Sequence, residues 1–407
     1  MTSPLLLPVQ MLVLMLSALY LSILVHELGH ALAGTLAGFR IVSCGIGTAR
    51  PFARIRIAGV CFYLARPLLR GLTLAIPNRL GPNRKALAIL SAGGSLANLA
   101  TVLVLWIVAR PIADWTTWRP FDHWTFSSVF MDVSIMMGIG NLLPFYSSRY
   151  GSASDGLIII RCILNMRFFD HAHAITSYEW PLNLFKSLDA REGIAYYARA
   201  LALECASMDD FQTAEELLED PALPAAEPNS LAYQVELLAR VTIAVGKKAP
   251  HAEALITEAT RVCTDDDASL HLKLLLAEHR MNAGENPRPL VEEVLSIART
   301  TKRHALATEA EAFLLLIDPM ESALGGYGKL LERSGSHRLQ PTTTLRLMVS
   351  FAKYLSMQGS LEYAKQLVER AQLILTTSAR SITNASIRER VIAAGSAKLR
   401  SALPVEE

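Results

Sequence analysis

Charge is almost missing from the start of this chain: among residues 1 to 39 only Glu27 carries it. A run so poor in charge cannot cover a water-facing surface, which excludes an ordinary soluble amino-terminal domain. Acidic residues are then absent from Arg40 to Lys85, a stretch that holds nine basic ones. The opening Met1-Thr2-Ser3-Pro4 has no basic residue ahead of the apolar run, which disfavours a cleaved signal peptide and predicts a retained signal anchor. Cysteine is scarce as well. The five, Cys44, Cys61, Cys162, Cys205 and Cys263, form no C-x-x-C pair and no even framework, so they read as reduced thiols on a cytoplasmic face.

What is present is apolar. The 407 residues are 51% hydrophobic with a mean hydropathy of +0.29, enough chain for two or three domains and too apolar for a soluble enzyme. Residues 1 to 148 hold 15 of the 76 charged side chains and a net charge of +7, which leaves about −5 for the remainder. The first part therefore reads as a membrane domain and the second as a soluble one, whose acidic balance argues against nucleic acid as a partner. Spans are expected at 4–25 continuing to 39, at 86–109 and at 124–146, the last blemished by Asp132. The basic loop from Arg40 to Lys85 places itself in the cytoplasm and the amino terminus outside. Residues 110 to 123, flanked and interrupted by Trp106, Trp115, Trp118 and Trp124, suit an outer interfacial loop. Gly156 to Phe169 is short and carries Arg161 and Arg167, so it is expected to pack on the domain or lie at the inner interface rather than cross.

One segment of the first span carries chemistry: Val25-His26-Glu27-Leu28-Gly29-His30. Histidines four apart share a helix face, so their imidazoles can converge on one ion, and Glu27 sits where a carboxylate can take a proton from water. A carboxylate in such a run costs roughly 2 to 3 kcal/mol even on the lenient insertion scale, and it usually marks function. A chance H-E-x-x-H seldom places both histidines and the glutamate inside an otherwise uncharged helix.

The run V-H-E-L-G-H-A-L-A-G after an apolar helix resembles the site-2 protease family of intramembrane zinc metalloproteases. That resemblance implies one Zn2+ per chain, held by His26, His30 and a third ligand, an Asp of an Asp-Gly pair that follows an N-x-x-P turn. The chain supplies Asn141-Leu142-Leu143-Pro144 and Asp155-Gly156. Fourteen positions separate Asn141 from Asp155 where the common form has eight, and the polar insert Tyr146 to Ser152 is expected to loop out. Ala92-Gly93-Gly94-Ser95-Leu96-Ala97-Asn98 is similar to the family's A-G-P-x-x-N stretch, with Gly94 in place of proline. Asn98 is then a polar group near the site or an interhelical hydrogen-bonding residue. The resemblance also implies a transmembrane protein substrate, cut within or near the bilayer. No G-x-S-G or G-x-G-D pattern in the apolar segments supports another intramembrane protease chemistry.

Two further features bear on partners. Phe52 to Ile57 alternates like a strand, Ala58-Gly59 suits a turn and Val60 to Leu64 returns, which predicts a small cytoplasmic hairpin. Through Arg54 and Ile55 it is a candidate to hold an unwound substrate as an added strand. Beyond residue 190, turn-like breaks near Asp209, Gly246, Gly284, Asp318 and Gly359 recur at spacings of 34 to 41, as stacked helix pairs would. The last unit resembles a tetratricopeptide repeat in its small-residue spacing.

The expected fold is mainly α: a polytopic membrane domain over 1–169, a linker over 170–189 and a soluble, solenoid-like repeat domain over 190–400. The protein is expected in the cytoplasmic membrane, in contact with lipid, with its repeats binding a cytoplasmic protein. The competing reading is a catalytically silent, membrane-anchored repeat adaptor that binds client helices.

Overall fold

The computed structural model describes residues 6–47, 50–66, 70–80, 84–109, 126–147, 152–163, 171–318, 326, 329 and 341–403. The chain divides into two compact units, the first built from residues 1–78, 83–168 and 181–193, the second from 79–82, 169–180 and 194–407.

The first unit is a helical bundle with a sheet. Helix α1 runs from Leu6 to Leu36, about 46 Å at 1.5 Å per residue, and α2 from Arg84 to Ala109, about 39 Å. Both are long and apolar enough to cross a membrane, whereas α3, Phe126–Leu142, is shorter. The expected interfacial loop, with Trp115, Trp118 and Trp124, lies outside the described residues. Helices α1 and α2 cross where neither has a side chain. A Cβ on Gly93 would lie 2.5 Å from the Gly29 carbonyl oxygen, and one on Gly29 would strike Gly93 in turn. Small residues let helices in lipid approach this closely, and here the approach brings α2 against the face of α1 that carries His26 and His30.

The hairpin expected at Phe52 to Leu64 is there, as β2 (Ala53–Ile57) and β3 (Val60–Leu64) with Ala53 opposite Leu64 and Ile57 opposite Val60. Its two turn residues, Ala58 at φ 49° and Gly59 at φ 83°, both adopt the left-handed conformation that matches strand twist in a two-residue turn. The sheet is larger than a hairpin. Strands β1 (Phe39–Ile46) and β4 (Gly71–Pro77) complete the order β2-β3-β1-β4, with β1 parallel to β3 and antiparallel to β4.

After α3 the polar insert forms a second hairpin, β5 (Tyr146–Ser147) against β6 (Ser152–Ala153), and leads into α4, Asp155–Ile163. Residues 164–170 lie outside the described set. The stretch expected as a linker holds helix α5, His171–Leu188, with Pro181 inside it. One lost hydrogen bond at a proline is outweighed there by burial of Ile175, Leu182, Phe185 and Leu188, each at most 3% exposed.

The second unit is all helix among its described residues: α6 (Arg191–Ser207, entering from the first unit), α7 (Phe211–Leu218), α8 (Leu231–Gly246), α9 (Ala252–Val262), α10 (Asp266–Asn282), α11 (Arg288–Thr300), α12 (His304–Ile317), α13 (Pro341–Met357), α14 (Leu361–Ala379) and α15 (Ala385–Arg400). The breaks at Asp209, Gly246, Gly284 and Gly359 each fall between the two helices of a pair, and Asp318 ends α12, whose following segment is largely outside the described residues. Fully buried alanines, among them Ala202, Ala239, Ala277, Ala364 and Ala371, mark the crossings. The two ends of the unit are joined. Thr176 donates to the Ser381 carbonyl at 2.8 Å, Asn384 to Glu179 at 2.6 Å, and Lys398 pairs with Asp209 at 2.6 Å.

Candidate metal centre

His26 and His30 project from one face of α1 with their rings edge to face and Nε2 atoms 3.1 Å apart. Asp155, the first residue of α4, brings Oδ2 to 3.2 Å from His26 Nε2 and 3.5 Å from His30 Nε2. Zinc with bonds of about 2.0 to 2.1 Å in a tetrahedral shell needs donor atoms about 3.3 Å apart. These three donors already form one face of such a tetrahedron, and both histidines are buried, at 5% and 8% exposure. The residues therefore fit the ion.

The surroundings fix the imidazoles. His30 Nδ1 lies 2.7 Å from the Leu90 carbonyl oxygen, which accepts from the Nδ1–H tautomer and leaves Nε2 for a metal. Asn98 Nδ2 lies 3.4 Å from His26 Nδ1, while Asn98 Oδ1 is buried with no hydrogen-bond partner. The two amide orientations have the same shape. Turning the amide by 180° lets the orphaned oxygen accept from a protonated Nδ1, the tautomer in which His26 offers Nε2. Gly94 explains itself in the same place. A Cβ there would sit 2.5 Å from His30 Nε2 and 2.7 Å from His26 Nε2, inside the space the ion requires.

Glu27 is 5% exposed, and its carboxylate lies within 4.8 Å of the donor nitrogens of both histidines. Two residues of β4 hold it. Thr73 Oγ1 is 2.8 Å from Glu27 Oε2 and 3.0 Å from the Glu27 carbonyl oxygen, and a Cβ at Gly71 would collide with the carboxylate. Neither residue is marked by any pattern in its own segment, Gly71-Leu72-Thr73-Leu74-Ala75-Ile76. Their role follows only from pairing with β1, where Thr73 is opposite Cys44 and Gly71 opposite Ile46. Burial pushes the Cys44 thiol up to about 11 against the lowering effect of its contact with Thr73, so it adds no charge beside Glu27.

Asn141, in the last turn of α3, brings Nδ2 to 3.3 Å from His26 Nε2. The insert between Asn141 and Asp155 is drawn closed at its base. Ser154 N–H donates to the Phe145 carbonyl at 2.9 Å, and Ser154 Oγ donates to the Leu143 carbonyl at 2.7 Å while accepting from the Phe145 and Leu157 N–H groups. Asp155 thus starts α4 beside the histidines despite the longer connection. Arg54 and Ile55 are not part of this cluster. They lie on β2, three strand spacings, about 14 Å, from β4. Asp132 is buried in α3 at 7% exposure.

Residues 14–114 match peptidase family M50, the site-2 protease family. The match covers α1 from residue 14 on, the sheet and α2, with His26, Glu27, His30, Thr73, Gly94 and Asn98, and stops short of Asn141 and Asp155. No curated protein and no solved structure matches the chain.

Proposed function

From the match to a metallopeptidase family and the convergence of three donor atoms on one point, we propose that this protein is a zinc endopeptidase that cuts a transmembrane protein inside or near the bilayer. The observation that carries the reading is the triangle of 3.1, 3.2 and 3.5 Å among His26 Nε2, His30 Nε2 and Asp155 Oδ2. Its depth supports the intramembrane part. His26 stands ten residues before the end of α1 at Leu36, about 15 Å along the helix.

Zinc bound by His26, His30 and Asp155 would supply Lewis acidity toward a scissile carbonyl and toward water. Glu27 takes the proton of the attacking water and returns it to the leaving amine. Thr73 occupies Oε2, which keeps the other carboxylate oxygen, Oε1, as the one that moves the proton. Asn141 carries an amide N–H next to the reacting position, placed to donate to the carbonyl oxygen as charge builds there. Asn98 and Leu90 orient the two imidazoles. Strand β4 is the sheet edge beside Glu27, so an unwound substrate segment pairs there, with its backbone N–H and C=O groups satisfied where water is scarce. This moves the substrate strand from the β2 edge with Arg54 and Ile55 to the opposite edge. The helical second unit binds a cytoplasmic protein that selects or controls the substrate.

Zinc analysis and cleavage of candidate single-pass proteins test the reading together. The purified protein is expected to hold about one zinc per chain. His26→Ala and Asp155→Ala should lower occupancy, whereas Glu27→Gln should keep zinc and abolish cutting. Full occupancy in Asp155→Ala would place the third ligand elsewhere.

A further inference from the structure

Asn141 stands to the two histidines and Asp155 much as those three stand to one another. Its amide lies 3.3 Å from His26 Nε2, beside edges of 3.1, 3.2 and 3.5 Å among His26, His30 and Asp155 and the spacing of about 3.3 Å that a tetrahedral zinc shell requires. An Asn141 N–H can donate to Nε2 only while that nitrogen keeps its lone pair. His26 Nδ1 faces Asn98, so Nε2 is the nitrogen that binds an ion, and an N–H left beside it would turn its proton toward a cation. The two ends of a primary amide have one shape. Turning the Asn141 amide by 180° therefore puts Oδ1 where Nδ2 was, without altering the shape of the side chain, and the repulsion becomes an attraction.

We propose that Asn141 is a resting ligand of the metal site: its Oδ1 fills the fourth position left by His26, His30 and Asp155, and gives way when a substrate segment enters. The inference rests on the metallopeptidase reading and adds a second role for a residue that already has one. Placement supports it. Asn141 lies in the last turn of α3 and Asp155 opens α4, and Ser154 ties the two segments together through the Leu143 and Phe145 carbonyls at 2.7 and 2.9 Å. The junction that holds one donor at the site thus holds the other. Chemistry supports the release. The group displaced is an amide carbonyl and so is the scissile group of a peptide, so one oxygen replaces another of like strength and the resting contact costs the substrate little. A filled shell lacks the open position that marks a catalytic zinc site, so the centre stays idle between substrates. Once released, the amide is free to present its N–H to the carbonyl oxygen. The two roles belong to two orientations of one side chain.

The test loads the full chain, in lipid nanodiscs, with Co2+ in place of zinc and reads the visible absorption of the metal rather than cleavage. Azide is the probe of an open position. The wild-type chain should bind it weakly and Asn141→Ala severalfold more tightly. In chelator competition Asn141→Ala should also lose metal affinity by about 10-fold. Asn141→Asp keeps an oxygen and discards the N–H, so it should restore both the metal affinity and the exclusion of azide. Equal azide binding by the wild type and Asn141→Ala overturns the proposal. So does an Asn141→Asp variant that behaves as the alanine one does, which would leave Asn141 a hydrogen-bond donor alone. Failure of the wild-type chain to take up cobalt would overturn the metallopeptidase reading together with this one, whereas the two preceding outcomes strike the resting ligand and leave that reading standing.

Discussion

Thr73 and Glu27 are 46 residues apart in the chain and one hydrogen bond apart in space, Oγ1 to Oε2 at 2.8 Å. The same hydroxyl is 3.0 Å from the Glu27 carbonyl oxygen, but a single proton serves one acceptor at a time and the charged one is the stronger. The sheet edge and the carboxylate are thereby coupled. A displacement of β4 would carry the Glu27 carboxylate with it.

Thr73→Val keeps the shape of the side chain and removes that bond. A hydrogen bond to a charged group contributes about 1.5 to 3 kcal/mol, so cleavage should fall about tenfold or more in kcat, with KM and zinc content little changed. Thr73→Ser should restore most of the rate. Equal losses in valine and serine variants would make the role steric.

Gly94→Ala separates folding from metal binding. Alanine favours a helix over glycine by about 1 kcal/mol, so α2 should be no less stable. The added Cβ would nonetheless stand 2.5 and 2.7 Å from the two ligand nitrogens. Zinc occupancy should collapse while helical content and melting temperature hold, as circular dichroism and metal analysis can show. Normal occupancy would mean that the ion sits away from α2.

Ser154→Ala removes the hydroxyl that binds the Leu143 carbonyl and two N–H groups at the base of the insert. Asp155 is the next residue. Losing an outer support of this kind typically costs 10- to 100-fold in metal affinity, and the loss should appear in chelator competition with His26 and His30 intact.

In the second unit, burial raises the Glu236 carboxyl but the Arg199 and Arg240 guanidiniums outweigh it and hold the group below its ordinary value of 4.5. Arg199 Nε is 2.6 Å away and almost wholly buried. For a depressed carboxyl the stabilisation is complete above the unfolded value and disappears as pH falls through the folded one. Amide exchange in α8, corrected for its intrinsic pH dependence, should therefore quicken below about pH 4.5. Glu236→Gln should flatten that dependence and leave Arg199 short of its partner at every pH.

The readable parts of the sequence were those whose partners lie close along the chain. His26, Glu27 and His30 share one helical turn, and the hairpin around Ala58-Gly59 is a local object, so spacing alone exposes both. Thr73 was hidden because its meaning depends on β1, some thirty residues earlier, and on α1 beyond that. The run from Leu72 to Ile76, apolar except for Thr73, reads the same in many folds. Helix α5 is not legible in the stretch 170–189, where Pro181 interrupts the helical pattern and the contacts that override the proline come from tertiary burial. The expectation that Arg54 and Ile55 hold substrate rests on the hairpin taken by itself. Strand order, which no single strand encodes, puts β4 rather than β2 beside Glu27.

The base of the β5–β6 hairpin also bears on how separation along a sequence should be measured. Phe145 and Ser154 are nine positions apart, yet two hydrogen bonds join them directly, so everything between them is excursion. For a chain whose ends are pinned in this way, doubling the excursion costs only about 0.6 kcal/mol of closure entropy. The Asn141 to Asp155 interval can therefore lengthen at little cost: residues added between Tyr146 and Ala153 would leave the two side chains in place. A motif of this kind is defined by the junction at its base rather than by the number of residues it spans.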